Sequence, residues 1–220
     1  MSIDFYLEVI SLLISIFLYK DLKSTKMVYF IPFLLLTVTV EFIGYLSVYY
    51  NLGNKNYRIY NIFNLVEFVF YAFLFYNNFK IQILKKLSIA FIPLLLAFSL
   101  INYLFFQGID HFHTYTLLFG SFFMVFFCCC YFYEWVLPDQ ISQNLLKQSF
   151  FWICVGLLLF YLGSVIINAL FEYLRSSDML QEGKKIYTLI NKSLNIVLYT
   201  SFSISFILCR NNKKSSLSPS

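Results

Sequence analysis

Glu41 (in LTVTVEFIGY), Glu67 (in FNLVEFVFYA) and Lys192 (in TLINKSLNIV) are ionisable side chains set inside long apolar runs. A charge at membrane depth costs about 2.5–3.5 kcal/mol on insertion scales, so such residues need a partner or a task. Intramembrane carboxylates bind protons or cations, or serve as general acid and base. Two of them side by side in low dielectric cannot both ionise, so a neighbouring pair shares a proton. Lys192 can neutralise one of the two, or snorkel to the surface along its aliphatic stem.

Helical geometry predicts that these residues meet. At about 1.5 Å per residue, Glu41 and Glu67 each lie roughly 15 Å from the end of the run where their two segments connect. Counted from the same side, Ser164 and Asn195 fall at about 15 Å, Lys192 at about 10 Å and Asn168 at about 9 Å. Each polar set also has the three-and-four spacing that keeps it on one helix face. Thr37, Glu41 and Tyr45 align on one segment; Tyr57, Tyr60 with Asn61, Asn64, Glu67 and Tyr71 on the next; Ser164, Asn168 and Glu172 on another; Asn191, Asn195 and Tyr199 on the last, with Lys192 and Thr188 beside them. The expected ligand or ion pocket therefore comprises Glu41, Asn64, Glu67, Tyr71, Ser164, Asn168, Lys192, Asn195 and Tyr199. The alternative for the amides and hydroxyls is structural, as interhelical hydrogen bonds of roughly 0.6 kcal/mol each.

Other chemistry finds little support. His111 and His113 share one short connection with Asp110 and lack further metal ligands nearby in sequence, so no metal is expected there. The five cysteines all lie in apolar runs, where Cys behaves as a small hydrophobe, and imply neither a disulfide framework nor a zinc site. Gly120-Ser121 and Gly163-Ser164 lack the flanking glycine pattern of a nucleophile elbow and read as close helix contacts. No phosphate-binding glycine loop occurs, and no catalytic residue or cofactor is expected. A carboxylate in the third run with a lysine in the seventh resembles the plan of the microbial rhodopsins. That family has an Asp one turn before a mid-helix lysine, whereas here Thr188 stands there and Lys192 lies near the helix end, so retinal is not expected.

The elements that must position these side chains follow from composition. Of 220 residues, 60% are hydrophobic and only 12% charged, half the charge of an ordinary soluble chain. The expected fold is an all-α integral membrane protein, a single polytopic domain over residues 1–209. Its spans are read at about 3–19, 27–50, 57–79, 87–106, 113–137, 149–174 and 185–209. Seven transmembrane helices result, or six if the first, which carries Glu8, lies on the membrane surface.

The connections on one side hold Lys20, Lys23, Lys26, Lys80, Lys85, Lys86, Lys147, Arg210, Lys213 and Lys214, against Lys55, Arg58, Arg175, Lys184 and Lys185 on the other. The positive-inside rule then places the N-terminus outside and the C-terminus in the cytoplasm, in a bacterial inner membrane. Residues 210–220 are read as a disordered basic cytoplasmic tail touching anionic lipid.

A net charge of +5 gathered at helix ends reports topology and not nucleic-acid binding. The expected partners are the bilayer and a separate membrane or cytoplasmic output protein, because no soluble output domain is present; the oligomeric state is open. Three functions are weighed. The first is a non-enzymatic sensor or accessory protein with an outward-facing intramembrane polar pocket. The second is a small proton- or cation-coupled transporter or channel using Glu41 and Glu67. The third is a membrane-embedded enzyme acting on a lipidic substrate.

Overall fold

The computed structural model describes residues 3–23, 25–50, 56–137, 144–176 and 180–217, and these are helical almost throughout, with no strand among them. The helices are α1 (Ile3–Phe17), α2 (Tyr19–Leu22), α3 (Phe30–Tyr49), α4 (Asn56–Asn78), α5 (Gln82–Ile101), α6 (Thr114–Val136), α7 (Ser149–Ser176) and α8 (Leu180–Leu217). Six helical segments, ending with Gly183–Lys213 inside α8, are long and apolar enough to cross a bilayer, which makes this a multi-pass membrane protein. Helix α1 is not among them: its 15 residues rise only about 22 Å, short of the roughly 30 Å hydrocarbon core.

Helix α1 is nonetheless part of the bundle, packed on α8 and α3. Its polarity is inverted relative to a soluble helix. Glu8, Ser11 and Ser15 face inward and are buried, whereas Tyr6, Ile10, Leu13 and Phe17 are exposed. In lipid this is the stable arrangement, because apolar side chains cost nothing outside and polar ones need partners inside. Consecutive helices then pack as neighbours from α3 to α8, with α4 also touching α6, and α8 closes the ring on α1.

Two features differ from the sequence reading. Helix α5 begins at Gln82, five residues before the apolar run at 87, because its first turn is capped from outside. The buried Glu134 carboxylate of α6 accepts from the backbone N–H groups of Lys80 (3.1 Å) and Ile81 (2.7 Å). At the other end of the chain, α8 carries on through Leu217, where a disordered tail was expected. Its last turns are tied down: Asn212 donates to the Lys147 carbonyl (2.7 Å), and Lys213 donates to the Lys20 carbonyl (2.9 Å) and pairs with Asp21 at 3.7 Å. Residues 218–220 lie outside the described residues.

Helix contacts depend on missing side chains. A Cβ at Gly163 would run into Leu194 of α8, and one at Gly156 would come within 2.8 Å of the Ser201 Cβ. Gly156 and Gly163 stand two turns apart on α7, as Ser201 and Leu194 do on α8, so a single seam lets the two backbones approach. Gly120 of α6 likewise gives way to the Phe68 ring of α4.

The end of the bundle that bears the α4–α5 turn is filled with phenylalanine. Phe30 stands edge-on to Phe202 (5.0 Å) and Phe206 (5.4 Å), and Phe75 packs on Phe79, Phe127 and Phe150. All seven of these rings are buried and pack against one another as a dense aromatic layer.

Candidate intramembrane polar site

Above that layer the bundle holds carboxylates. Glu41 on α3 accepts a hydrogen bond from the Tyr60 hydroxyl of α4 (3.2 Å). Tyr60 reaches it because Gly44, one turn after Glu41, has no side chain; a methyl group there would collide with the Tyr60 hydroxyl. Asn56 donates to the Gly44 carbonyl (3.2 Å) and so fixes the start of α4 against the end of α3. Glu8 of α1 is buried, with only 4% of its surface exposed, and Glu41 and Asp4 are neighbouring carboxylates. The Tyr199 hydroxyl of α8 faces Glu8, and Glu67 of α4 is also within its field. The hydroxyls of Tyr71 and of Tyr161 on α7 face Glu67 in turn. Tyr161 lies against Glu67 without closing a hydrogen bond of ordinary geometry, and its hydroxyl is left without a partner. Glu8 Oε2 and Asp4 Oδ1 are also buried without hydrogen-bond partners.

Five helices thus send acidic and phenolic groups to one place. Among the described residues, no lysine or arginine is among the groups acting on Glu8, Glu41 or Glu67. The rings around them are packed: Tyr71 lies 5.4 Å from Phe33 and 6.2 Å from Tyr161, and Tyr199 stands edge-on to Phe202 at 5.9 Å. A cavity of about 360 Å³ opens from Glu41 toward the α3–α4 turn, between Phe5, Tyr45, Val48, Asn56 and Tyr60. Glu41 is therefore open toward the cavity, while Glu8 lies buried and outside the cavity lining.

Of the residues expected to form one pocket, the structure brings Glu41, Glu67, Tyr71 and Tyr199 together. Asn64 and Asn195 are partly buried but make no side-chain hydrogen bond among the described residues. Ser164 and Asn168 are paired along their own helix, with Asn168 donating to the Ser164 carbonyl (2.7 Å). Asn168 lines a different cavity, of about 760 Å³, with Gln107, His111 and Tyr115. Lys192 lines a shallow surface hollow with Lys184, Lys185 and Thr188, away from the carboxylates. The residues missed were Glu8 and Tyr161, while Tyr60 was read on the Glu67 stripe but not counted in the pocket. Both missed residues carried a readable signal: Glu8 heads a polar stripe with Ser11 and Ser15, and Tyr161 stands one turn before Ser164.

The other candidates have structural partners. His113 is buried with Nε2 on the Gly108 carbonyl (2.9 Å), and its backbone N–H donates to Asn61 (2.9 Å). Arg58 pairs with Asp110 at 2.8 Å, so this connection is strapped to the start of α4. Among the described residues no three His, Cys, Asp or Glu side chains converge as metal ligands do. The connection Glu172–Lys185, which sequence offered as a partner contact, lies partly outside the described residues. Compared with protein-family models, with curated proteins and with solved structures, the chain matches none.

Proposed function

We propose that the chain is a non-enzymatic sensor or accessory protein whose intramembrane carboxylate–tyrosine pocket takes up a ligand from one side of the membrane. One observation carries this reading: Glu41, the member of the cluster that lines the cavity, is open on that side, while the phenylalanines at the opposite end of the bundle are buried. A pathway for flux needs access from both ends in turn, whereas a binding site needs only one. In this reading α1 completes a seventh span. Backbone hydrogen bonds run on through its break, from Leu18 N–H to the Ile14 carbonyl (3.0 Å) and from Leu22 N–H to the Leu18 carbonyl (3.0 Å). Ile3–Leu22 is then about 30 Å long, with the N-terminus and the cavity outside and the C-terminus in the cytoplasm.

The test is the thermal stability of detergent-solubilised wild type, Glu41→Gln, Glu67→Gln and Lys192→Met from about pH 5 to pH 9. The facing groups are Asp4 and Glu8 on α1, Tyr60 and Tyr71 on α4, Tyr161 on α7 and Tyr199 on α8. The glutamine variants should fold and lose the pH dependence of wild type, while Lys192→Met leaves it unchanged. Loss of stability at every pH in both glutamine variants would reduce the cluster to structural glue.

A second reading, proton- or cation-coupled transport, is supported by carboxylates on three helices meeting without a counter-cation among the described residues. Flux into proteoliposomes abolished by Glu67→Gln would favour it, and vesicles that stay tight under proton, sodium and potassium gradients would dismiss it.

A further inference from the structure

We infer that the cavity at Glu41 binds a primary ammonium group carried on a small apolar or aromatic body. This rests on the pocket reading above and names its ligand. The cavity supplies the parts such a ligand needs. Glu41 provides a carboxylate at the floor, with Oε2 already oriented by Tyr60 and Oε1 left as an acceptor. Phe5, Tyr45 and Tyr60 provide aromatic walls, and Gly44 lets the wall approach the floor. An acidic group under aromatic rings is the recognition pattern for organic cations. The volume of about 360 Å³ is at the small end of ligand sites, enough for an alkyl or aryl amine.

A second feature points to the same ligand. Deeper than the cavity lining, Glu8 is only 4% exposed with Oε2 unpartnered, and Tyr161 keeps a buried hydroxyl unpartnered beside Glu67, so the carboxylate side of the cavity is rich in unmet polar groups. These are unmet hydrogen-bonding groups in low dielectric, where each is costly. An ammonium brings one positive charge and three N–H donors to Glu41, whose Oε1 is open and which has no lysine or arginine partner among the described residues. A bare metal ion fits poorly, because among the described residues the carboxylates do not close into a group of three. A quaternary ammonium has no N–H to give, so the open Oε1 of Glu41 in the cavity favours a primary one.

The experiment uses the full chain in detergent, with the thermal unfolding midpoint titrated by butylammonium and phenethylammonium chloride. Sodium and tetramethylammonium chloride at equal ionic strength are the comparison. The primary ammonium salts should stabilise saturably, with apparent affinity weakened about tenfold or more in Glu41→Gln. Tyr45→Ala should weaken it as well, and because Tyr45 is exposed its loss leaves the fold intact. A titration unaffected by Tyr45→Ala would overturn the inference even if Glu41→Gln failed to fold. A saturable response to sodium or tetramethylammonium alone, lost in Glu41→Gln, would overturn the ammonium assignment and leave the pocket standing. No saturable response to any of the four salts, together with glutamine variants that are destabilised at every pH, would remove both.

Discussion

Two side chains outside the expected pocket show how strongly a single residue acts here. Glu134 looks like a carboxylate near a helix end, yet it is buried and holds both N–H groups at the entry to α5. Glu134→Ala should cost about 2–3 kcal/mol, because a charged acceptor is lost and two backbone donors are orphaned. Glu134→Gln keeps one acceptor oxygen and should cost less than half as much; thermal unfolding of the two variants checks the order. Gly44 is the second case. Gly44→Ala should drive the Tyr60 hydroxyl off Glu41 and cost about 1–2 kcal/mol. The alanine should be far better tolerated in a Tyr60→Phe background, where no hydroxyl remains to collide, so the double-mutant cycle should show strong coupling. Additive effects would mean that Tyr60 does not sit on Gly44.

At the scale of elements, the helices pack by contrast between what lipid accepts and what the interior must satisfy. Helix α1 buries serine and glutamate and exposes leucine, isoleucine and phenylalanine, a distribution meaningful only in a bilayer. The buried Ser11 hydroxyl has no partner. Ser11→Ala should therefore be neutral or stabilising by up to about 1 kcal/mol, while Ser11→Leu overfills the contact and destabilises, as unfolding in detergent would show. The α7–α8 seam makes the complementary case. Gly163→Ala should cost about 1–3 kcal/mol through overpacking, and Leu194→Ala should relieve most of that cost when combined with it. A Gly163→Ala protein as stable as wild type would show that the two helices are not held this close.

For the whole molecule, the consequence is a bundle with unlike ends. One end carries the cavity, Glu41 and the strap between Arg58 and Asp110; the other carries the phenylalanine layer, Glu134 and the basic close of α8. If α1 and α2 cross together, the termini lie on opposite sides. An N-terminal epitope should then react with an impermeant label on intact cells, and a C-terminal epitope only after permeabilisation. Both epitopes on one side would make α1 a surface helix and leave six spans.

The membrane class, the helical character and the segments long enough to span were legible in composition and run length, because insertion depends on local hydrophobicity summed over about 20 residues. Glu41 and Glu67 were legible as neighbours because antiparallel helices joined by a short turn bring equal depths together. What the sequence left open is which polar faces point at one another, since that depends on how each helix is rotated and shifted by its contacts. Tertiary packing put Glu8 and Tyr161 into the acidic cluster, set the Tyr60 hydroxyl on Glu41, turned Lys192 and Asn168 toward other surfaces, and gave Glu134 a buried capping task. Those choices are set by glycine seams, ring packing and unmet hydrogen bonds between segments far apart in the chain, and no local pattern encodes them.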